Sequence, residues 1–351
     1  MNNYKYYISG SAHSLYPTET HFGLFSLEDG SYAEIPQQYP FNGPWGEVVV
    51  ENASVREELP SPVLLELTYL SVIEEKFYYL SIPINASEIG RIFAKSEFQD
   101  QQTPSNLIVG MAPFGDVAIW FGNRHKKLLL GWLQGNEVSI DMEDFFPQDP
   151  DLSLYDYCLD YINNDPVVKQ NLATNGLPPR DLFDNYMKQF TYRYLPLFEH
   201  WDESEEKWLK YEEDELDKQP QLDYIEEALY DGTHDKLHDD GLLNFHEAGK
   251  PKKLAVKWQI KKSEYTAYFW FDDGAIRAFF DKFYGVHPDT KTDFIIHIDP
   301  LKNKYQLALF RYGLKEPLPL PEETYQLIVF KNKFEHFRSD NYDQPRGSWI
   351  W

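Results

Sequence analysis

The sequence of 351 residues contains one cysteine, Cys158. No internal disulfide can form, which fits a reducing compartment. Cys158 sits in the apolar-periodic stretch LSLYDYCLDYI, which predicts a buried structural thiol rather than a nucleophile. No apolar run approaches the roughly 20 residues that span a bilayer, so no membrane insertion is expected. The stretch MNNYKYYISGSAHS lacks a basic segment followed by an apolar one and does not read as a secretory signal. The expectation is a soluble, cytoplasmic protein.

Positive charge is also scarce. Lysine and arginine number 33 against 57 aspartates and glutamates, a formal net charge of −24. That excess repels nucleic-acid phosphates and anionic membranes and favours basic partners. Equally missing are a Gly-x-Ser-x-Gly elbow, a phosphate-binding loop, a Cys-x-x-Cys pair and a dinucleotide fingerprint. No catalytic set and no cofactor is expected. Carboxylates are so numerous that any one acid–base pair among them carries no weight.

What is present is material for cores: 42% hydrophobic and 17% aromatic residues. The chain also contains a duplication. An offset of about 187 residues pairs Leu67 with Leu254, Ile73 with Ile260 and Tyr78 with Tyr265. The same offset pairs Ile89 with Ile276, Phe93 with Phe280, Leu107 with Phe294 and Pro113 with Pro300. Each copy reads as two alternating strands, a capped helix and two further strands. Asn85–Ser87 and Asp272–Asp273 offer the helix N-caps.

The repeat settles one ambiguous stretch, LIVGMAPFGDVAIWFG at residues 107–122. Its glycines could cradle a phosphate or close a hairpin. The second copy, IDPLKNKYQLALF, makes the same connection with Asp299, Pro300 and Asn303 in place of glycine. A phosphate cradle needs glycine for close backbone approach, so a β-hairpin is predicted.

Between the copies, residues 146–248 read as helical and acidic. RDLFDNYMKQFTYRYL places Phe183, Tyr186, Met187, Phe190 and Tyr194 at helical spacing. DESEEKWLKYEEDELDK and QLDYIEEALYDG also read as helices. Asp202–Asp240 holds 16 acidic residues against four lysines. Its candidate partner-binding residues are Glu205, Glu206, Glu212, Glu213, Asp214, Glu215 and Asp217 for charge, with Trp201, Trp208 and Tyr211 as apolar anchors. The blander reading is a solvated helical face.

His234, His238 and His246 form a weak metal-ligand set, the first two at i and i+4. A solvated loop explains them as simply, so no metal is expected. His336 with Glu335, Arg338 and Asp340 could form an acid–base group, but reads first as a surface ion-pair network. Lys252, Lys253, Lys257, Lys261 and Lys262 read as solvent-facing strand residues. Trp349 and Trp351 are expected to pack against the body of the protein.

LELTYLSVIEEKFYYLSIP, NLIVGMAPFGDVAIWF and LFRYGLKEPLPLP, in this order, resemble the bacterial family catalogued as domain of unknown function 2931. The run YQLIVFKNKFEHFRSDNYDQPRGSWIW resembles the tail of its members. The resemblance rests on strand patterns and carries no catalytic residues. It implies a setting like that of immunity proteins encoded beside secreted antibacterial toxins, including type VI effectors. Many members look like lipoproteins with a signal sequence, from which this chain departs.

The expected fold is α+β: two related ββαββ units with mainly antiparallel sheets, joined by an acidic helical insertion. The expected domains are residues 1–145 (repeat about 62–122), 146–248, and 249–351 (repeat about 251–310). The expected function is that of a non-enzymatic immunity protein binding a cognate toxin with a basic surface. The alternatives are a hydrolase-like enzyme with a cleft between the repeats, or a secretion-system scaffold.

Overall fold

The computed structural model describes residues 2–37, 40–51, 58–99, 104–211, 220–285, 287 and 289–342. The chain divides into two compact units. One is Met1–Met187 with Asp231–Thr233, and the other is Lys188–Tyr230 with His234–Trp351.

In the first unit, one sheet has the strand order Asn136–Val138, Lys76–Pro83, Pro62–Ser71, Thr18–Leu27, Tyr32–Glu34, all antiparallel. A second run has the order Lys127–Gln134, Asp116–Gly122, Ser105–Met111, Tyr6–Ala12, Val50–Glu51. Here Tyr6–Ala12 pairs parallel to Ser105–Met111. Alternate side chains from both layers fill one core. Leu65, Leu67 and Tyr69 come from one, and Leu107, Val109, Met111, Val117 and Ile119 from the other. The helix Ala86–Phe93 adds Phe93 and is capped by Asn85, whose side chain accepts from the Glu88 backbone N–H. Cys158 lies buried on the helix Leu154–Asn164, and burial pushes its thiol up to about 12.

The predicted hairpin at 107–122 is present, with Phe121 opposite Leu107 and Val117 opposite Met111. Its turn carries two left-handed residues, Phe114 (φ 67°) and Gly115 (φ 83°). Gly110 serves packing. A Cβ there would stand 2.3 Å from the Trp120 ring and 3.0 Å from Trp45.

The second unit also has two layers. One has the order Phe334–Arg338, Tyr325–Lys331, Ser263–Phe271, Pro251–Ile260, Gln221–Leu229, His234–Leu237. The other has Lys207–Lys210, Phe190–Asp202, Thr292–Asp299, Lys304–Arg311, Leu318–Pro319. Phe190–Asp202 runs parallel to Thr292–Asp299. The helix Asp273–Tyr284, capped by Asp272, buries Ile276, Phe280 and Phe283 in the same core. At the turn into Lys304–Arg311, Asn303 takes the left-handed conformation (φ 52°) in place of a glycine.

The expected α+β class is overturned. Strands hold 49% of the described residues and helices 20%, in large mixed sheets. Each unit has a hairpin, a helix and a second hairpin in that order, but the two hairpins enter different layers. They therefore do not make a ββαββ sheet. The insertion is helical only in its first part, over Leu154–Asn164, Pro166–Asn175 and Leu182–Met187. Its acidic part, expected as helix, is mainly strand, beginning with 13 residues at Phe190. Phe190, Tyr192 and Tyr194 are buried in alternation, as are Ile225, Glu227 and Leu229 on Gln221–Leu229. A period of two thus prevails where aromatic residues also matched a helical spacing. Among the described residues, no helix is long and apolar enough to cross a membrane.

Candidate partner-binding surface

The candidate anchors lie on a hairpin of the second unit, Phe190–Asp202 with Lys207–Lys210. Its register sets Trp201 opposite Trp208, Glu199 opposite Lys210 and Asp202 opposite Lys207. Two opposite-charge cross-strand pairs thus flank an aromatic pair, each a favourable neighbour across antiparallel strands. The Asp202 carboxylate shapes the turn. It accepts from the Ser204 N–H at 2.8 Å and the Ser204 hydroxyl at 2.7 Å. These bonds hold its pKa below the ordinary carboxylate value. Glu206 takes the left-handed conformation that closes the turn (φ 50°). Glu203, Glu205 and Glu206 are exposed there, with Lys207 ion-paired to Glu205.

The tryptophans are half-buried and held by their own sheet. The Trp201 and Trp208 ring centroids are 5.2 Å apart. Trp208 stacks on the His297 imidazole at 4.8 Å with an interplanar angle of 12°. Its Nε1–H donates to Gln306 Oε1 at 2.9 Å. His297 Nδ1 lies 2.8 Å from Glu199 Oε2, and the Lys304 ammonium lies 5.4 Å from the Trp201 ring centroid. Beneath the hairpin, the side chain of Asp299 is fully buried. It accepts from the Trp201 N–H at 2.8 Å, the Leu301 N–H at 3.1 Å and the Lys302 N–H at 3.2 Å. Two rigid aromatic side chains are therefore preorganised beside an acidic turn. Among the described residues, Lys207–Lys210 is the outermost strand of this sheet.

The structure thus groups Trp201, Glu205, Glu206 and Trp208 on one hairpin, as strand and turn rather than helix. Tyr211 follows directly in sequence. Glu212, Glu213, Asp214, Glu215 and Asp217 lie outside the described residues, as do Trp349 and Trp351. Sequence reasoning missed the supporting residues Glu199, His297, Asp299 and Gln306. The last three are about a hundred residues from the tryptophans, and no local pattern links them.

The histidine set is not on one helix. His234 is a buried strand residue, His238 precedes the short helix Asp239–Leu242, and His246 lies on another strand. His246 Nε2 sits 3.6 Å from the buried Glu227 carboxylate, which accepts from the Tyr194 hydroxyl at 2.6 Å. Burial opposes the charge on His246, but Glu227, the Asn244 carbonyl and Asp235 together outweigh it and raise its pKa. Among the described residues, no group of three acidic, histidine or cysteine side chains is placed to hold a metal ion. Of the five lysines expected at the surface, Lys253 is buried, 4.9 Å from the Tyr268 ring and 5.6 Å from that of Trp270. Burial pushes its ammonium down to about 8.

A family model described as Protein of unknown function (DUF2931) matches residues 2–178. The matched residues end before the tryptophan hairpin begins. No curated protein and no solved structure matches the chain.

Proposed function

The chain belongs to the family Protein of unknown function (DUF2931), and we propose that this member is an immunity protein. It binds a cognate antibacterial toxin stoichiometrically and blocks it by protein–protein contact. The observation that carries this reading is the pair Trp201 and Trp208, 5.2 Å apart and fixed by neighbouring side chains, beside the exposed acids Glu203, Glu205 and Glu206.

The chemistry of such a surface is that of recognition. Large aromatic side chains held in place lose little entropy on binding and dominate interface energetics. Exposed carboxylates around them speed encounter with a basic surface and impose salt dependence. A net charge of −24 adds a long-range attraction for the same kind of partner. The family resemblance supports the setting by association.

The test is affinity capture with the tagged chain from its native bacterium, at low and high salt, read by mass spectrometry. One stoichiometric toxin-like partner, weakened by salt, is expected. Co-expression should then protect cells from that partner. Absence of any partner in both conditions, or a partner that kills equally with and without the chain, would sink the reading.

A further inference from the structure

The first unit carries an open cleft of about 550 Å³, within the size range of small-ligand sites. Its charged lining is Glu74, Lys76, Glu137 and Arg180, and its apolar walls include Phe114 and Leu177. Both cations already have anionic or polar partners. Arg180 Nη1 donates to both Asp116 carboxylate oxygens, at 3.2 and 2.9 Å, and Nη2 donates to Gln134 Oε1 at 2.6 Å. Lys76 Nζ donates to Glu137 at 2.7 Å.

Glu74 is different. One oxygen accepts from the Tyr78 hydroxyl at 3.0 Å and the other from the Phe114 N–H at 2.7 Å. Both donors are neutral, and a carboxylate has roughly four acceptor positions. Among the described residues, no lysine or arginine forms an ion pair with Glu74; Lys76 feels its charge, but the Lys76 ammonium is held by Glu137. The carboxylate is half-buried, fixed in orientation and lines the cleft. Beside it stand Leu177, which is 50% exposed, and the half-buried Phe114 ring, one face of which is covered by the Arg180 guanidinium at 5.2 Å.

The geometry points to a site for an alkylammonium group, with the cation on Glu74 and the hydrocarbon stem against Phe114 and Leu177. The charged lining is balanced, Glu74 and Glu137 against Lys76 and Arg180, but both cations are already engaged by Glu137 and by Asp116 with Gln134, which leaves an anionic ligand no uncommitted cation. The group can arrive as a free alkylamine or as a lysine side chain on a polypeptide, and the chemistry is shared. This site lies in the first unit and does not depend on the hairpin reading.

The test is ligand-observed NMR with the full chain. The probes are pentylammonium and an end-blocked pentapeptide with a central lysine; the controls are pentanol and the norleucine peptide. Dissociation constants on the order of millimolar or tighter are expected for the amines, with the controls at least about tenfold weaker. Binding of the peptide alone marks a protein-borne lysine, and binding of both marks the ammonium group itself. Glu74→Gln keeps an acceptor for the Phe114 N–H and should weaken the amines at least about tenfold, because a charge-assisted bond becomes a neutral one. If that variant fails to fold, Leu177→Ser, at an exposed position, should weaken pentylammonium about threefold, the loss of a partly covered apolar contact. No amine binding, equal binding of pentanol, or amine affinity unchanged by the folded variants would overturn the assignment.

Discussion

Glu19, on the strand Thr18–Leu27, accepts a 2.6 Å hydrogen bond from the Tyr157 hydroxyl and faces the helix that carries Cys158 and Tyr161. Burial raises its pKa from 4.5 to about 7, although the Tyr157 bond opposes the rise. The ionised carboxylate is therefore less comfortable in the fold than in the unfolded chain. At about 1.4 kcal/mol per pH unit, the rise from 4.5 to about 7 corresponds to about 3.5 kcal/mol, and solvent screening of the partly exposed Glu19 lowers this to at most about 3 kcal/mol above pH 7. The sign follows from the folded pKa lying above the unfolded one. The stabilising contribution is full below about pH 4.5 and is lost as pH rises through about 7. Glu19→Gln keeps an acceptor for Tyr157 and cannot ionise. It should match wild type near pH 4 and exceed it at pH 8 by up to about 3 kcal/mol, or roughly 6–10 °C in the melting of the first unit. Urea unfolding at several pH values, followed by tryptophan fluorescence, reads this directly. Asp116 is raised to about 6, so some loss of stability between pH 4 and 6 should persist in the variant. Parallel pH profiles for the two proteins, or a variant less stable at pH 8, would refute the reasoning.

Three further outcomes are expected. Gly110→Ala forces a Cβ to 2.3 Å from a Trp120 ring that is itself pinned by a 2.9 Å bond from Nε1 to the Asp231 carbonyl. Denaturation should show a loss of about 3 kcal/mol or more. Asp299→Ala leaves three backbone N–H groups under the hairpin without their acceptor, and should cost about 3 kcal/mol with a changed tryptophan emission. Asp299→Asn, which keeps one acceptor oxygen, should lose less. Trp208→Ala removes the ring stacked on His297, and should weaken partner binding at least about thirtyfold in calorimetry, as loss of a central aromatic anchor does.

Local chemistry made part of this fold legible. The hairpin at 107–122 could be read because a Gly–Pro-bearing turn separates two apolar runs, and a second copy performs the same connection without glycine. Asn85 and Asp272 were readable as helix caps because the capping side chain acts three residues away. The segment from Phe190 to Leu237 was not readable in the same way. Phe190 and Tyr194 fit a helical stripe together with Phe183, Tyr186 and Met187, while Phe190, Tyr192 and Tyr194 equally fit a strand. Acidic residues such as Glu226 and Glu227 argued against strand on propensity. Burial of Glu227 depends on the Tyr194 hydroxyl and His246, which no spacing rule brings together. The charge and aromatics around Trp201 and Trp208 are legible in the sequence, but their strand pairing is not, because the acidic residues between them favour helix on propensity. The alkylammonium cleft was missed, because Glu74, Phe114 and Arg180 meet only in the fold.

Whether the acidic hairpin engages a protein partner is read by capture from the native bacterium with wild type and Glu205→Lys/Glu206→Lys, side by side at low salt. Both substitutions lie at exposed turn positions, and neither removes Gln306, His297 or Asp299, which hold the tryptophans and their strand. A stoichiometric partner is expected on wild type and at least about tenfold less on the charge-reversed protein, with the difference shrinking as salt screens the charges. Equal capture by the two proteins at low salt would contradict that engagement.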